Sequence, residues 1–385
     1  MNRPLISRRS LLLSAAAAAA CDKPKAKRFL GYCFVANRDG HSIGVVDLTR
    51  FRTRKQLPLD AAPSQVLARP KTTQAYALAP ANGTIYEIEA GLLSIPRRVR
   101  AGNTAVSMRL SRANDALWVL YRDPALLVEI PFDTLRPRRH IRLSAPPVDF
   151  DLSHRTDDAC VVSSSDRSIA LISLAQSSIT RTIRASVEPC IARFRDDGSQ
   201  LIAGSQPDRS LTLYDTPTGK TVVRLPLSIA PREFCFTADG GHLYVTGDGM
   251  DAVVSVFPYR TEVWETLLAG HAPGAMAIAE SDRPPAYLLV ANPGTDSVTV
   301  LDVETGKLVA LVQVGSEPRQ IVITPDNEYA LVLNEKSGDI AVIRIFSLGG
   351  NQVGGDRVKR YKSAPLFTMI PVGERPVSAA VVALT

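Results

Sequence analysis

Short apolar runs of five to seven residues alternate with polar turn clusters along most of the chain, and the runs are rich in β-branched and aromatic residues. That rhythm predicts strands, because an amphipathic helix would space its apolar residues three and four apart. The clearest unit follows Pro318. Gln320 to Thr324, Tyr329 to Leu333 and Asp339 to Ile345 predict three strands, separated by Pro325-Asp326-Asn327 and by Asn334-Glu335-Lys336-Ser337-Gly338. The preceding unit supplies a fourth, Leu308 to Val314, after the turn Thr305-Gly306-Lys307. Asp, Asn and Gly at such turns provide the positive φ angles of tight hairpins.

A landmark opens each unit: a small or charged residue, then proline. It recurs at Pro63, Pro147, Pro189, Pro231, Pro273, Pro318 and Pro376, with Ala105 in the same place after Pro63. Successive landmarks are 42 residues apart from 63 to 273, and the last two steps are 45 and 58. A four-stranded unit with two apolar faces cannot bury both by itself, and arranging the units radially solves the problem. The chain opens with three strands (Tyr32 to Asn37, Ser42 to Leu48, Thr53 to Leu59) and ends with a lone one, Val377 to Leu384. Each end supplies what the other lacks, which removes both free edges. The expectation is an all-β fold over residues 30–385. It is a single β-propeller of eight four-stranded antiparallel blades, closed by the C-terminal strand joining the N-terminal three.

Leu243-Tyr244-Val245-Thr246-Gly247 nearly spells the signature of YVTN-repeat β-propellers. Tyr287-Leu288-Leu289-Val290-Ala291-Asn292, Ser297 to Asp302, Thr305-Gly306-Lys307 and Val314-Gly315-Ser316-Glu317-Pro318 resemble that family's consensus almost throughout. The resemblance spans essentially residues 30–385 and is best in the first, seventh and eighth copies. It implies a propeller in an exported or surface protein of the lipoprotein type. Family members are typically described as seven-bladed, so an eighth repeat is a departure. Related propellers include lactone hydrolases and eight-bladed domains that hold d1-type haem, and the fold alone does not choose among such roles.

The first 21 residues stand outside the repeat. A basic start, an apolar stretch from Leu11 to Ala20 and small residues before Cys21 make a secretory signal. The stretch is shorter than the roughly 20 residues a spanning helix needs. Ser7-Arg8-Arg9-Ser10-Leu11-Leu12-Leu13 resembles a bacterial twin-arginine export signal. Ala18-Ala19-Ala20-Cys21 resembles a lipobox without the usual leucine, which implies lipidation of Cys21. Residues 22–29 then read as a polar tether. The expected location is periplasmic or cell-surface, on a lipid anchor.

Net charge adds little. The formal +7 falls to about +4 once Arg3, Arg8 and Arg9 leave with the signal, far from a nucleic-acid footprint. The cluster Arg136, Arg138, Arg139 and His140 reads equally as a solvated hairpin edge or a ligand site. Cys33, Cys160, Cys190 and Cys235 lack any metal-binding spacing and read as thiols inside apolar strands.

Naming the four strands of a blade A to D, alternation puts the D–A and B–C loops on one face, around the channel mouth. His41, Arg232, Arg319 and His271 fall there. Strand A is innermost by analogy with other propellers. Its third and fifth positions are largely apolar, as in Phe150, Leu152, Phe234, Phe236, Ile321 and Ile323. The second and fourth are more polar: Gln65, Arg109, Asp149, Asp151, Arg193, Glu233 and Gln320. Charges there need partners, water or a ligand. Two readings stay open, a watered channel of neutralising pairs and a polar ligand on the axis. Asp149 and Asp151 face the same way and suit a cation or acid–base work. GxSxG, HExxH, Walker and CxxCH motifs are absent from the sequence.

The leading expectation is therefore a monomeric binding or interaction protein, with no catalytic residue or metal site assigned and no cofactor identified. It would take a protein or polar ligand at the mouth and reach the membrane through its lipid anchor. The alternative is a propeller enzyme or cofactor-handling protein of the lactone-hydrolase or d1-haem type, with His41 or His271 as the haem ligand. A Gly- and Lys/Arg-containing segment from Leu348 to Arg360 lengthens the last C–D connection on the opposite face.

Overall fold

The computed structural model describes residues 29–280, 285–348 and 364–384. The expected signal sequence with Cys21, the expected tether up to residue 28 and the segment 349–360 lie outside the described residues.

Among the described residues thirty-two strands form eight antiparallel four-stranded sheets, and each sheet is one blade in the order A-B-C-D. Blade 1 is the exception in chain order: its B, C and D strands come from Gly31–Asn37, Ser42–Asp47 and Arg52–Pro58, and its A strand is Pro376–Ala383. The two ends pair in register, with Tyr32 opposite Val382 and Phe34 opposite Ala380. The A strands of blades 2 to 8 are Gln65–Ala68, Thr104–Leu110, Asp149–Leu152, Ile191–Phe194, Ala230–Phe236, Met276–Ala279 and Pro318–Ile323. Among the described residues the one helical element is a single 3-10 turn, Ile345–Ser347.

The 42-residue period is visible in the backbone itself. Phe51, Leu93, Leu135, Ser177, Gly219 and Thr261 occupy the same C–D turn, 42 residues apart, and all have φ between +46° and +70°. One of the six is glycine, so the others hold a left-handed conformation that disfavours L-residues by roughly 1–2 kcal/mol. The hairpin hydrogen bonds on either side over-determine them.

No single core exists. Buried apolar residues fall into eight clusters, one between each pair of neighbouring blades. The seam between blades 1 and 2, around Phe34, Val45, Tyr86 and Val382, has fifteen buried members. The seam between blades 6 and 7, around Tyr244, Leu267 and Leu288, has six. All four described cysteines are free. Cys33 and Cys160 lie in strands, and burial pushes the Cys33 thiol up to about 12. Cys190 departs from the strand expectation. It sits in the loop before strand A of blade 5, its Sγ 3.3 Å from Gly204 O and 3.6 Å from Pro231 O.

Val382 is 2% exposed in the closing strand and packs into the seam of blades 1 and 2. Val382→Asp would place an unpaired carboxylate there and should lower stability by about 3 kcal/mol or more. Urea unfolding monitored by tryptophan fluorescence measures the loss.

Candidate functional site

Strand A has no neighbour on its inner side, so half of its backbone groups face the axis unpaired. The polar row of strand A answers this. Its side chains turn toward the following blade and clasp that blade's exposed edge. Ser378 Oγ accepts from Val66 N at 3.1 Å. Gln65 Oε1 accepts from Met108 N at 2.8 Å while its Nε2 donates to Met108 O at 3.0 Å. Asp149 and Asp151 accept from Ala192 N and Phe194 N at 3.2 and 3.0 Å. Gln320 Oε1 accepts from Ala379 N at 2.7 Å. Arg109 Nε donates to Phe150 O at 2.8 Å. Five consecutive seams, from blade 8 through blade 5, carry such a clasp.

The channel charges collect on one side. Arg193 lies 2.5 Å from Asp149, and Arg109 lies 3.5 Å from Asp151. Enclosure by protein and the nearby Arg193 guanidinium hold Arg109 below its ordinary pKa. For Arg193, the carboxylates of Asp149 and Asp151 outweigh the same burial and push it up. Glu233, in blade 6, is different. Its side chain is exposed and makes no hydrogen bond to the described residues. Desolvation pushes its pKa up, against the pull of Arg193.

The mouth is built by a second device. Asn37, Asn292 and Asn334 end the B strands of blades 1, 7 and 8, all fully buried, each against a glycine in the adjacent D–A loop. A Cβ on Gly270, Gly315 or Gly373 would lie 2.4–2.6 Å from a neighbouring side chain, with the paired asparagine at most 2.6 Å away. Asn37 Nδ2 donates to Val372 O at 2.8 Å, and Gly270 N donates to Asn292 Oδ1 at 3.1 Å. Carboxylates on the preceding blade's B–C loop cap two of the loops so anchored. Asp251 accepts from Ala272 N at 3.1 Å, and Asp296 accepts from Glu317 N at 2.9 Å.

Glu335 is the centre of a third grouping. Arg319 Nε and Arg375 Nε donate to its two oxygens at 2.7 and 2.6 Å, and Asp39 lies 3.6 Å from Arg375. Burial opposes the charge of Glu335, but the hydrogen bonds from Arg375 and Arg319 outweigh it and hold its pKa below the ordinary value. This latch ties blade 8 to blade 1 across the closure.

The residues singled out from sequence therefore fall into separate places. Arg109, Asp149, Asp151, Arg193 and Glu233 share the channel wall. Gln65 is a clasp two seams away from Asp149. Arg319 belongs to the Glu335 latch. Arg232 pairs with Asp248 at 2.8 Å on the exposed rim. His271 Nδ1 lies 3.0 Å from Asp251 and its ring rests on Gly294, with no hydrogen bond from Nε2 to the described residues. His41 is exposed with φ of +41° in the B–C loop of blade 1. Glu335 and Arg375 were not anticipated. Their signal was a charge beside the proline landmark and another in a B–C turn that read as ordinary turn polarity.

These features define an eight-bladed propeller with clasped inner edges and a stiffened mouth. Residues 212–351, from blade 5 through blade 8, match the family model described as Lactonase, 7-bladed beta-propeller. The chain is 25% identical over 145 residues to the seven-bladed beta-propeller protein Rv1057 of Mycobacterium tuberculosis, covering 37% of this chain and 37% of that protein. Among solved structures it is similar to the dihydro-heme d1 dehydrogenase NirN in complex with DHE. The TM-score is 0.74 at 15% identity, over 94% of this chain and 78% of that one. Hydrazine synthase of Kuenenia stuttgartiensis matches with a TM-score of 0.59 at 18% identity, over 73% of this chain and 95% of that one. At such identities the structural likeness shows the fold.

Three outcomes follow for the site. Gln65→Leu strips Met108 of both partners and should cost about 1–3 kcal/mol in urea unfolding. Gly315→Ala forces a Cβ against Ser337 and Asn334 and should cost about 1–3 kcal/mol by the same measurement. Glu233 binds its proton more tightly folded than unfolded, so its contribution to stability falls as pH rises through the window above the ordinary carboxylate value. Glu233→Gln should thus raise the urea midpoint at pH 7 and leave it unchanged at pH 4.

Proposed function

We propose that this chain is an exported, membrane-anchored binding protein that captures a protein or polar ligand on the channel-mouth face. The observation that carries the reading is the construction of that face. Its loops are held by buried asparagines against glycines, by Asp251 and Asp296 as caps, and by the Glu335 latch. A rigid polar rim loses little freedom on binding, which favours affinity. Arg232, His41 and His271 are exposed on it and make the polar contacts. Support for export and anchoring comes from the sequence of residues 1–21, with Cys21 as the lipidated residue.

Photocrosslinking from the rim of the full chain, expressed in a host that exports it, tests the reading. Arg232→Ala with His271→Ala should cut capture at least about tenfold with an unchanged thermal midpoint, as exposed polar contacts allow. Arg112→Ala on the opposite face should leave capture unchanged. Equal capture by the rim variant would remove the mouth from the proposal. Fractionation tests the anchor: Cys21→Ser should move the protein from membrane to soluble fraction.

A second reading, an enzyme or cofactor-handling propeller, is favoured by two observations. Glu233 is an unbonded channel carboxyl with a raised pKa, which suits general acid–base work in a lactone hydrolase. His271, oriented through Nδ1 by Asp251 with no hydrogen bond from Nε2 to the described residues, has the form of a supported metal ligand. The remaining donors fit an anionic macrocycle poorly. Arg109, Arg193 and Arg319 are already held by Asp151, Asp149 and Glu335 and offer no spare positive charge. Loss of lactone hydrolysis in Glu233→Gln, or of a haem Soret band in His271→Ala, would favour this reading over the first.

A further inference from the structure

The outer D strands divide the circumference in two. Those of blades 1 to 5 are Arg52–Pro58, Ser94–Arg100, Arg139–Arg142, Ser178–Arg184 and Thr221–Pro226. They hold eleven Lys and Arg residues and no Asp or Glu. Those of blades 6 to 8, Glu262–Leu268, Leu308–Gln313 and Leu366–Pro371, hold no Lys or Arg. They instead expose Trp264, Leu268, Leu308, Leu311, Phe367 and Met369.

Some of the basic residues serve the fold. Arg97 and Arg139 reach inward to the buried carboxylates of Glu87 and Glu129. Others meet no carboxylate, although Lys55, Arg100 and Arg181 donate to the backbone carbonyls of Leu93, Gly102 and Pro217. Arg52, Arg54, Lys55, Arg100, Arg142 and Arg181 are exposed, and no described acid lies within ion-pair distance of them. Charges on outer strands also prevent edge-to-edge pairing. If that were their whole purpose, blades 6 to 8 would need them most, since their edges are apolar, and those blades have none. The asymmetry points to a partner for the basic half.

We propose that the outer edge of blades 1 to 5 binds a flexible acidic polysaccharide. Shape and chemistry select that partner. Adjacent blades of an eight-fold ring are about 45° apart, so the five basic edges follow a convex arc of about half a turn. A flat anionic membrane can touch only a fraction of such an arc, whereas a flexible linear chain can follow it. The basic strands contain no Phe, Tyr or Trp, and so lack the stacking platforms that single-stranded nucleic acids use. All but Lys55 of the eleven are arginines, whose planar guanidinium suits carboxylate and sulfate groups. This surface is independent of the channel mouth.

The test measures binding of a long fluorescent polyuronate to the full chain in detergent by anisotropy, over a range of salt. The expected result is binding that weakens steeply with salt, and a long chain bound at least about tenfold more tightly than its tetrasaccharide. Arg52→Gln/Arg54→Gln/Lys55→Gln should weaken it about tenfold, and so should Arg100→Gln/Arg142→Gln/Arg181→Gln. Either triple variant decides the matter if its thermal midpoint matches the parent. Absence of binding at low salt, equal affinity for long and short chains, or indifference to both variants would overturn the proposal. So would tighter binding to a single-stranded oligonucleotide of equal charge. A variant-sensitive preference for phosphatidylglycerol over phosphatidylcholine vesicles, without polyuronate binding, would overturn it in favour of a membrane surface.

Discussion

A four-stranded blade with two apolar faces is stable only between two others, and every other feature follows from that requirement. It forces the sheets into a ring, splits the core into eight seams and makes the last seam depend on both ends of the chain. It also creates a difficulty at the axis, where the innermost strand of each blade is left with unpaired backbone groups. Gln65, Asp149, Asp151, Gln320 and Ser378 resolve it by reaching to the next blade's backbone. Each clasp acts across a seam that the hydrophobic cluster behind it already closes, so the polar row and the apolar clusters reinforce one another.

The seams are not equal. From blade 8 round to blade 5 they combine an inner clasp with a sizeable cluster. Between blades 6 and 7 the corresponding row holds Glu233 and Cys235, neither of which clasps the next strand, and the buried cluster is the smallest of the eight. The polar ties there come from elsewhere: Thr246 Oγ1 donates to Gly274 O at 2.7 Å, Tyr244 OH to Val303 O at 3.3 Å, and Ala238 N to the Glu280 carboxylate at 3.1 Å. Local opening follows the distribution of buried apolar contacts, and among the described residues this seam has the fewest buried apolar members to resist it. Glu233 and His271 both lie beside it.

Fold and blade count were legible because they rest on periodicity. Prolines 42 residues apart and turns rich in Asp, Asn and Gly fix strand positions to within a residue or two, and the unmatched strands at the two ends fix closure. The direction of the strand A side chains was less legible. Alternation correctly separates Gln65, Asp149 and Gln320 from Phe150 and Ile321, but it cannot say whether the polar row looks into open water or at the neighbouring strand. That depends on blade twist and on the diameter of the ring, which no local pattern encodes. Arg319 and Arg375 show the same limit. They meet on Glu335 only because 8 closes on 1, and nothing in the sequence between them announces the contact.

A closed ring also constrains where function can reside. Widening the channel would strain every clasp at once, since each binds the next blade's backbone rather than a movable side chain. The charged wall of blades 3 to 5 is largely engaged internally, Arg109 with Asp151 and Arg193 with Asp149. Exposed polar capacity therefore lies at positions outside the clasps: the rim residues His41, Arg232 and His271, the unclasped Glu233, and the outer-edge arginines that meet no described acid. Such positions can change without breaking an inner clasp. That is the physical reason one propeller frame carries unrelated activities, and why likeness of frame at 15% identity to NirN transmits architecture without transmitting chemistry.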